Sequence, residues 1–156
     1  MTLLRLRVVH GVLALLGLGI TGYLSWAELA GGSPTCVIGG GCATVQSSDY
    51  AEIAGISLSY LGFVTYAFML ISAFLPGFPG RLLGIITSVG GLLFSLWLLF
   101  AEIFLIKAIC PWCVASLVVM VLAFVVAVLR IWKAGDLGPD DAVPPGRAAR
   151  AGAAKG

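Results

Sequence analysis

Charged side chains are scarce in this sequence. Asp, Glu, Lys and Arg make up 10% of the 156 residues, hydrophobic residues make up 60%, and the mean hydropathy is +1.10. Soluble domains carry about 25% charged residues, so this composition excludes a water-soluble protein. The net charge of +2 does not indicate a nucleic-acid partner. The chain is therefore expected to lie in a lipid bilayer.

Two kinds of sequence pattern are also missing. The chain has neither the short alternating segments of a membrane β-barrel nor a nucleotide-binding glycine motif. Helices are then the elements that can pair every backbone polar group within lipid. Several apolar stretches each have close to the ~20 residues that cross the hydrocarbon core. We predict an all-α fold, an integral membrane four-helix bundle, with helices over about Val8 to Trp26, Leu58 to Leu75, Leu82 to Ala101 and Pro111 to Trp132.

The two ends of the chain differ from the apolar stretches in composition. Arg5 and Arg7 precede the first stretch as they would in a cleaved signal peptide, but the stretch is long and no A-x-A site follows it, which favours a retained helix. His10, near its start, is expected to be interfacial or packed. From Gly135 onward the sequence is mostly Gly, Ala, Pro and Asp with scattered Arg. We predict one transmembrane domain over residues 1–134 and a disordered cytoplasmic tail over residues 135–156.

Basic residues are distributed unevenly along the chain. Arg and Lys near membrane ends are retained on the cytoplasmic side. Eight of the nine basic residues fall on one side of the predicted bundle, with Arg81 in the turn between the second and third helices. The other side carries acidic residues, among them Glu28 and Glu102, and Lys107. We expect a multi-pass cell-membrane protein with both termini in the cytoplasm and the cysteines at the extracytoplasmic face, where disulfides persist.

The strongest chemical signal is a C-x-x-C motif, Cys110-Pro111-Trp112-Cys113, at the start of the fourth apolar stretch. Pro111 suits the first turn of a helix, where its missing N–H is not needed. A thiol at a helix N-terminus faces unpaired N–H groups that favour the thiolate. The spacing places both sulfurs on one helix face, where they can form and exchange a disulfide. The motif predicts a redox-active pair.

The other two cysteines, Cys36 and Cys42, lie outside the apolar stretches and enclose three consecutive glycines. Such a segment bends freely, so the pair can bond to each other or reach other thiols, which suits an electron shuttle. Two structural disulfides in a membrane scaffold or transporter are the main alternative, although a C-x-x-C bridge restricts the unfolded chain very little. A four-thiolate zinc site also has suitable ligands, but nothing else in the sequence indicates metal handling.

The order of these motifs resembles the vitamin K epoxide reductase family in its bacterial form. The resemblance covers about residues 6–132. The C-x-x-C comes last in the chain, unlike in the disulfide-bond protein B family, which carries it in the first loop. Bacterial members often have Pro where this chain has Ser57, a departure that lies outside the redox residues. The matching residues are Cys36, Cys42, Ser48, Asp49, Tyr50, Ala51, Gly55, Ile56, Leu61, Gly62 and the motif Cys110-Pro111-Trp112-Cys113.

The resemblance implies a redox relay through the cysteines. Cys36 would meet the partner protein, and Cys42 would pass electrons to Cys110 through a mixed disulfide. Cys113 would be the sulfur that engages a quinone. Ser48, six residues after Cys42, matches the Ser/Thr position of the family's catalytic set.

The resemblance also implies the reactants of an enzyme. The acceptor is a membrane quinone of the menaquinone, ubiquinone or vitamin K type. The donor is a separate thioredoxin-like protein outside the cytoplasm, since no fused thioredoxin domain is expected. Quinones are more oxidising than protein dithiols, so electrons run from the partner to the quinone. Reduction of a quinone epoxide by the same cysteines is the alternative reaction. Apolar walls expected beside Cys113 are Trp26, Tyr60, Phe63, Phe104 and Trp112.

Overall fold

The computed structural model describes residues 2–32, 34–36, 41–48, 50, 52–53 and 56–136. Two short antiparallel strands, β1 (Glu52–Ile53) and β2 (Ile56–Ser57), precede the second long helix and pair with Glu52 opposite Ser57. A π-helix over Ala101–Ile106 continues the third long helix. The α-helices of the described residues are α1 (Leu3–Leu29), the short α2 (Cys42–Gln46), α3 (Leu58–Phe74), α4 (Gly77–Phe100) and α5 (Pro111–Asp136).

The structure confirms a helical protein with membrane character. α1, α4 with its π-helical extension, and α5 are each long and apolar enough to cross a membrane, and α3 is an apolar helix of 17 residues. α1 packs against α3 and α5, and α4 packs against the same two helices. The β1–β2 hairpin was not predicted. The tail predicted for residues 135–156 lies, beyond Asp136, outside the described residues.

The start of α4 differs from the prediction. The helix begins at Gly77 rather than near Leu82, directly after Pro76. Pro79 lies in its first turn, where a proline costs no hydrogen bond because the first N–H groups of a helix have no partner within it. Arg81 therefore lies within α4 and not in the turn where the sequence placed it.

The end of α4 differs as well. The apolar stretch was expected to end at Ala101, with Glu102 in an outer turn. Instead the helix continues in π-helical form to Ile106. Its C-cap is Lys107, which has a left-handed φ of 55°. The wider turn of a π-helix changes which side chains face inward. Glu102 is only 1% exposed as a result.

The centre of the bundle is packed around Tyr66. Its hydroxyl donates to the carbonyl of Ser116 at 2.8 Å, which satisfies the polar group inside an apolar core. Gly17 of α1 lies so close to the Tyr66 ring that a Cβ at position 17 would overlap it. A residue without a side chain is therefore what lets α1 and α3 approach each other here. The buried core cluster consists of Ala14, Tyr66, Met69, Met120 and Ala123.

Basic side chains lie at the end of the bundle remote from the cysteines. Arg7 donates to the carbonyl of Phe74 at 3.1 Å, and Arg130 donates to the carbonyl of Ser72 at 3.3 Å. These carbonyls are among the last of α3, which lack partners within the helix and lie at the negative end of its dipole. His10 is fully buried, and its Nε2 lies 3.3 Å from the Ser72 hydroxyl.

We expect Gly17→Ala to lower the stability of the bundle by about 1–3 kcal/mol, because the added methyl group overpacks the Tyr66 ring. Gly19→Ala is the matched control in α1: a Cβ there meets no atom within 4 Å, and alanine favours a helix by about 1 kcal/mol over glycine. Thermal unfolding in detergent, followed by circular dichroism, compares the two variants. Equal midpoints would contradict the packing described for Gly17.

Candidate functional site

The two loop cysteines are joined to each other. Cys36 and Cys42 form a disulfide, and the N–H of Cys42 donates to the sulfur of Cys36 at 3.0 Å. Cys42 is the first residue of α2 and is fully buried, whereas Cys36 is partly exposed. The disulfide therefore has one sulfur at the surface and one inside the protein.

The inner sulfur lies in one cluster with the C-x-x-C motif. Cys42, Val45 and Cys110 are each at most 4% exposed and pack together. Cys36 and Cys113 pack against this cluster, and Cys110 and Cys113 are free thiols. The structure thus brings the four cysteines together, with a dithiol beside a disulfide. Thiol–disulfide exchange requires this arrangement.

Gly41 makes the approach of the two cysteine pairs possible. A Cβ at position 41 would lie 2.5 Å from the carbonyl oxygen of Ile109 and 3.1 Å from its nitrogen. Both atoms belong to the backbone, so neither can rotate away. Only a glycine therefore allows the residue before Cys42 to contact the residue before Cys110.

Trp112 holds the loop onto the start of α5. Its indole N–H donates to the carbonyl of Thr35 at 3.1 Å, and its ring lies 5.3 Å from the ring of Tyr23. The Tyr23 hydroxyl in turn accepts the N–H of Thr35 at 3.2 Å. The residue before Cys36 is therefore fixed by side chains from both α1 and α5.

The helix start predicted at Pro111 is confirmed, and it sets the environment of Cys110. The carbonyl of Cys110 accepts the N–H of Val114 at 3.1 Å as the first turn of α5 begins. A hydrogen bond from the Cys113 thiol lowers the pKa of Cys110 below its ordinary value, against the opposing effects of burial and of the nearby Glu102. The attacking form of a thiol is its thiolate, so this contact favours exchange at Cys110.

Glu102 is a site residue that the sequence analysis did not identify. Its Oε2 accepts the backbone N–H of Cys110 at 3.2 Å. A carboxylate oxygen of Glu102 and the sulfurs of Cys110 and Cys113 all lie within 4.8 Å of one another. The signal available in the sequence was a single acidic residue inside a continuous apolar stretch, which marks a functional candidate in a membrane protein.

An apolar cavity of about 80 Å³ opens beside the C-x-x-C motif. Cys113 lines it and Cys110 does not. Ser48, one of the predicted site residues, also lines the cavity, and its hydroxyl donates to the carbonyl of Val45 at 2.7 Å. Most of the other lining side chains are aliphatic or aromatic, including Leu24, Leu58, Tyr66, Phe94, Leu98, Leu117 and Met120.

The aromatic residues expected as quinone walls do not line this cavity. Trp26 and Phe104 are 69% and 64% exposed, and Phe63 is 40% exposed, as expected for side chains that face lipid. Tyr60 is half-buried outside the cavity lining, and Trp112 contacts the loop instead. None of the five aromatic side chains therefore contributes to the lining of this cavity.

Ser57, where the family pattern often has Pro, caps the start of α3. Its hydroxyl accepts the N–H of Ser59 at 3.3 Å and donates to a carboxylate oxygen of Glu28 at 2.7 Å. A serine at this position satisfies one of the first N–H groups of the helix. The departure from the pattern therefore adds a link between α1 and α3 and leaves the cysteine cluster intact.

Comparison with known proteins identifies one family and a partial match to one relative. The family model described as "Vitamin K epoxide reductase family" matches residues 8–128. The thiol-disulfide oxidoreductase LTO1 of Arabidopsis thaliana is 45% identical over 47 residues, which are 30% of this chain. The matched segment spans only 12% of the length of that relative.

We expect Cys113→Ala to accumulate a mixed disulfide between Cys42 and Cys110, since Cys110 can then no longer be released by its partner thiol. Adding Gly41→Ala should lower the yield of this species, because the methyl group pushes the loop away from Ile109. Non-reducing peptide mapping by mass spectrometry identifies the bond.

The matched control for that variant is Gly32→Ala, where a Cβ makes only an ordinary contact of 3.7 Å with the carbonyl of Ala27. It should leave the yield of the mixed disulfide unchanged. A bond between Cys36 and Cys110 in place of the expected one would contradict the assignment of Cys42 as the inner sulfur.

Proposed function

This chain belongs to the vitamin K epoxide reductase family, and from that premise we propose that it is a membrane thiol:quinone oxidoreductase. It reoxidises a thioredoxin-like, disulfide-forming protein and reduces a membrane quinone. Family membership and the similarity to a thiol-disulfide oxidoreductase support an oxidoreductase that acts on thiols. The donor and the acceptor are the parts of the proposal that go beyond this.

One observation carries the proposal. The loop disulfide Cys36–Cys42 packs against the free thiol of Cys110, while Cys113 of the same motif lines an apolar cavity. A path therefore leads from a partly exposed sulfur, through two buried ones, to a sulfur beside a space for an apolar molecule. A pair of structural disulfides needs neither the free thiols nor the cavity.

The electrons take this path by successive exchange of disulfides. A partner dithiol reduces the Cys36–Cys42 disulfide at the exposed Cys36 and becomes a disulfide itself. Cys42 then attacks the Cys110–Cys113 disulfide at Cys110 and releases Cys113 as a thiol. Cys36 next attacks Cys42 in this mixed disulfide, which re-forms the loop disulfide and releases Cys110. The product has a loop disulfide and free thiols at Cys110 and Cys113, which is the state in the structure.

The cavity suits a quinone as the final acceptor. Pockets for such ligands are mostly apolar with a few polar groups that orient the molecule, and this one offers Ser48 and Glu102 beside Cys113. A bound quinone of the menaquinone, ubiquinone or vitamin K type supplies two-electron acceptance. The residues that line the cavity would hold such a molecule beside the Cys113 sulfur.

The charge distribution supports an orientation in the membrane. Arg7, Arg81 and Arg130 lie toward one end of the bundle, and the cysteines lie at the other. We propose that the basic end is cytoplasmic, with both termini on that side and the cysteines outside. α3, with 17 residues, is at the lower limit for crossing the hydrocarbon core and completes a bundle of four membrane helices.

We expect the purified protein to reduce a soluble quinone analogue over many turnovers with a reduced thioredoxin-like protein as donor. Cys110→Ala and Cys113→Ala should abolish turnover with any donor, because the pair that faces the quinone is lost. Cys36→Ala should lose turnover with the protein donor and keep part of it with dithiothreitol, which can reduce the inner pair directly. The change in quinone absorbance measures each rate. Turnover at the wild-type rate in Cys110→Ala would contradict the proposed path of electrons through the cysteines.

The proposed orientation predicts labelling from outside the cell. After mild reduction of intact cells, a membrane-impermeant thiol reagent should modify Cys36 in preference to Cys42, because Cys36 is partly exposed and Cys42 is fully buried. Mass spectrometry of the labelled peptides gives the ratio. If Cys36 is modified only after the membrane is permeabilised, the protein has the opposite orientation.

A further inference from the structure

Glu102 takes no part in the proposed exchange of disulfides, yet its side chain is buried beside Cys110 and Cys113. The side chain is 1% exposed and lines the cavity beside Cys113. One carboxylate oxygen accepts the N–H of Cys110, and the other, Oε1, accepts no hydrogen bond from any side chain or backbone group of the described residues. An unpaired buried carboxylate oxygen destabilises a fold, so its presence at this position needs an explanation.

The groups around Glu102 are those of the redox site. Its carboxylate accepts the N–H of Cys110, and one of its oxygens lies within 4.8 Å of the sulfurs of Cys110 and Cys113. Within the described part of the chain no basic side chain donates to it. Lys107, the nearest basic residue in sequence, is exposed. Two negative charges within 4.8 Å of each other are unfavourable away from water, so the carboxylate and the thiol sulfurs cannot all carry charge together. A proton that moves between them leaves the total charge unchanged.

The reaction at this site has to move protons as well as electrons. Two thiols and one quinone become one disulfide and one hydroquinone. Two S–H bonds break, one S–S bond forms, and two O–H bonds form on the former quinone oxygens. The sulfurs supply both electrons and both protons, but the side chains that line the cavity are mostly apolar, so bulk water is poorly placed to carry the protons.

We propose that Glu102 accepts the thiol protons of Cys110 and Cys113, one at a time, and passes each to a quinone oxygen in the cavity. One carboxylate oxygen lies within 4.8 Å of both sulfurs and the side chain lines the same cavity, so it lies between the source of the protons and the space proposed for the quinone. The Glu102 side chain is a carboxylate again after each proton has been passed on. This role rests on the proposed function, since it assumes that the acceptor in the cavity is a quinone.

The first experiment separates the two half-reactions. Glu102→Gln keeps an oxygen that accepts the Cys110 N–H but cannot take up a proton at neutral pH. Reduced Glu102→Gln protein, mixed with excess quinone in a stopped-flow instrument, should reduce it on the order of 10²-fold more slowly than wild type. Reduction of its Cys36–Cys42 disulfide by dithiothreitol should stay near the wild-type rate, because that bond is opened at the partly exposed Cys36 and not in the cavity.

Two further variants make this result specific. Glu102→Asp keeps a carboxylate and should recover part of the quinone rate that Glu102→Gln loses. Glu28→Gln is the matched control, because Glu28 binds Ser57 at the same end of the bundle and does not line the cavity. It should leave both half-reactions unchanged. Equal losses in both half-reactions of Glu102→Gln, or a wild-type quinone rate, would overturn the proposal.

The second experiment needs no quinone and therefore stands apart from the proposed function. In a Cys110→Ala background, alkylation of Cys113 by N-ethylmaleimide requires its thiolate. If Glu102 accepts the Cys113 proton, Glu102→Gln should slow this alkylation several-fold. Faster alkylation would mean that Glu102 acts only as a repelling charge, which refutes the proposal. Should wild type fail to reduce quinone while alkylation still depends on Glu102, the proposed function fails and the proton-accepting role remains.

Discussion

The backbone contact between Gly41 and Ile109 holds the loop disulfide against the first turn of α5. Sulfur exchange requires that two sulfurs come within bonding reach, and here the two cysteine pairs are separated in sequence by most of the bundle. Trp112 fixes the same loop from the α5 side through its bond to Thr35. The proposed relay therefore depends on where the loop disulfide lies against the helix ends.

Local rules predicted part of this fold well. The hydrophobic stretches indicated long helices, and Pro111 marked the start of α5 because proline is favoured where the first N–H groups have no partner. The same rules failed at α4. Its start at Gly77 precedes the apolar stretch, since a helix can begin on Pro76 and carry Pro79 in its first turn. Its π-helical end has no local sequence signature that these rules recognise.

The cysteine cluster followed from motif order, whereas the cavity walls did not. In a membrane helix both the lipid-facing and the inward-facing positions are apolar, so hydrophobicity does not reveal which side a residue faces. Choosing large aromatic residues near the helix ends selected Trp26 and Phe63, which are exposed. Phe94 and Leu98, from the middle of an unremarkable apolar stretch, line the cavity instead. Ser48, which lines the cavity, was selected by its fixed distance in sequence from Cys42, a signal that does not depend on hydrophobicity.

Burial of an unpaired polar atom does not by itself identify a chemical role, as the opposite end of the bundle shows. His10 and Arg130 are also buried, and each has a nitrogen without a hydrogen-bond partner among the described residues. Arg130 donates to the carbonyl of Ser72 near the end of α3, His10 lies against the hydroxyl of the same residue, and neither lines the cavity. Contact with the C-terminal end of α3 therefore accounts for the burial of these two side chains. Glu102 differs because the groups in reach of its carboxylate are thiols that must lose protons when they are oxidised.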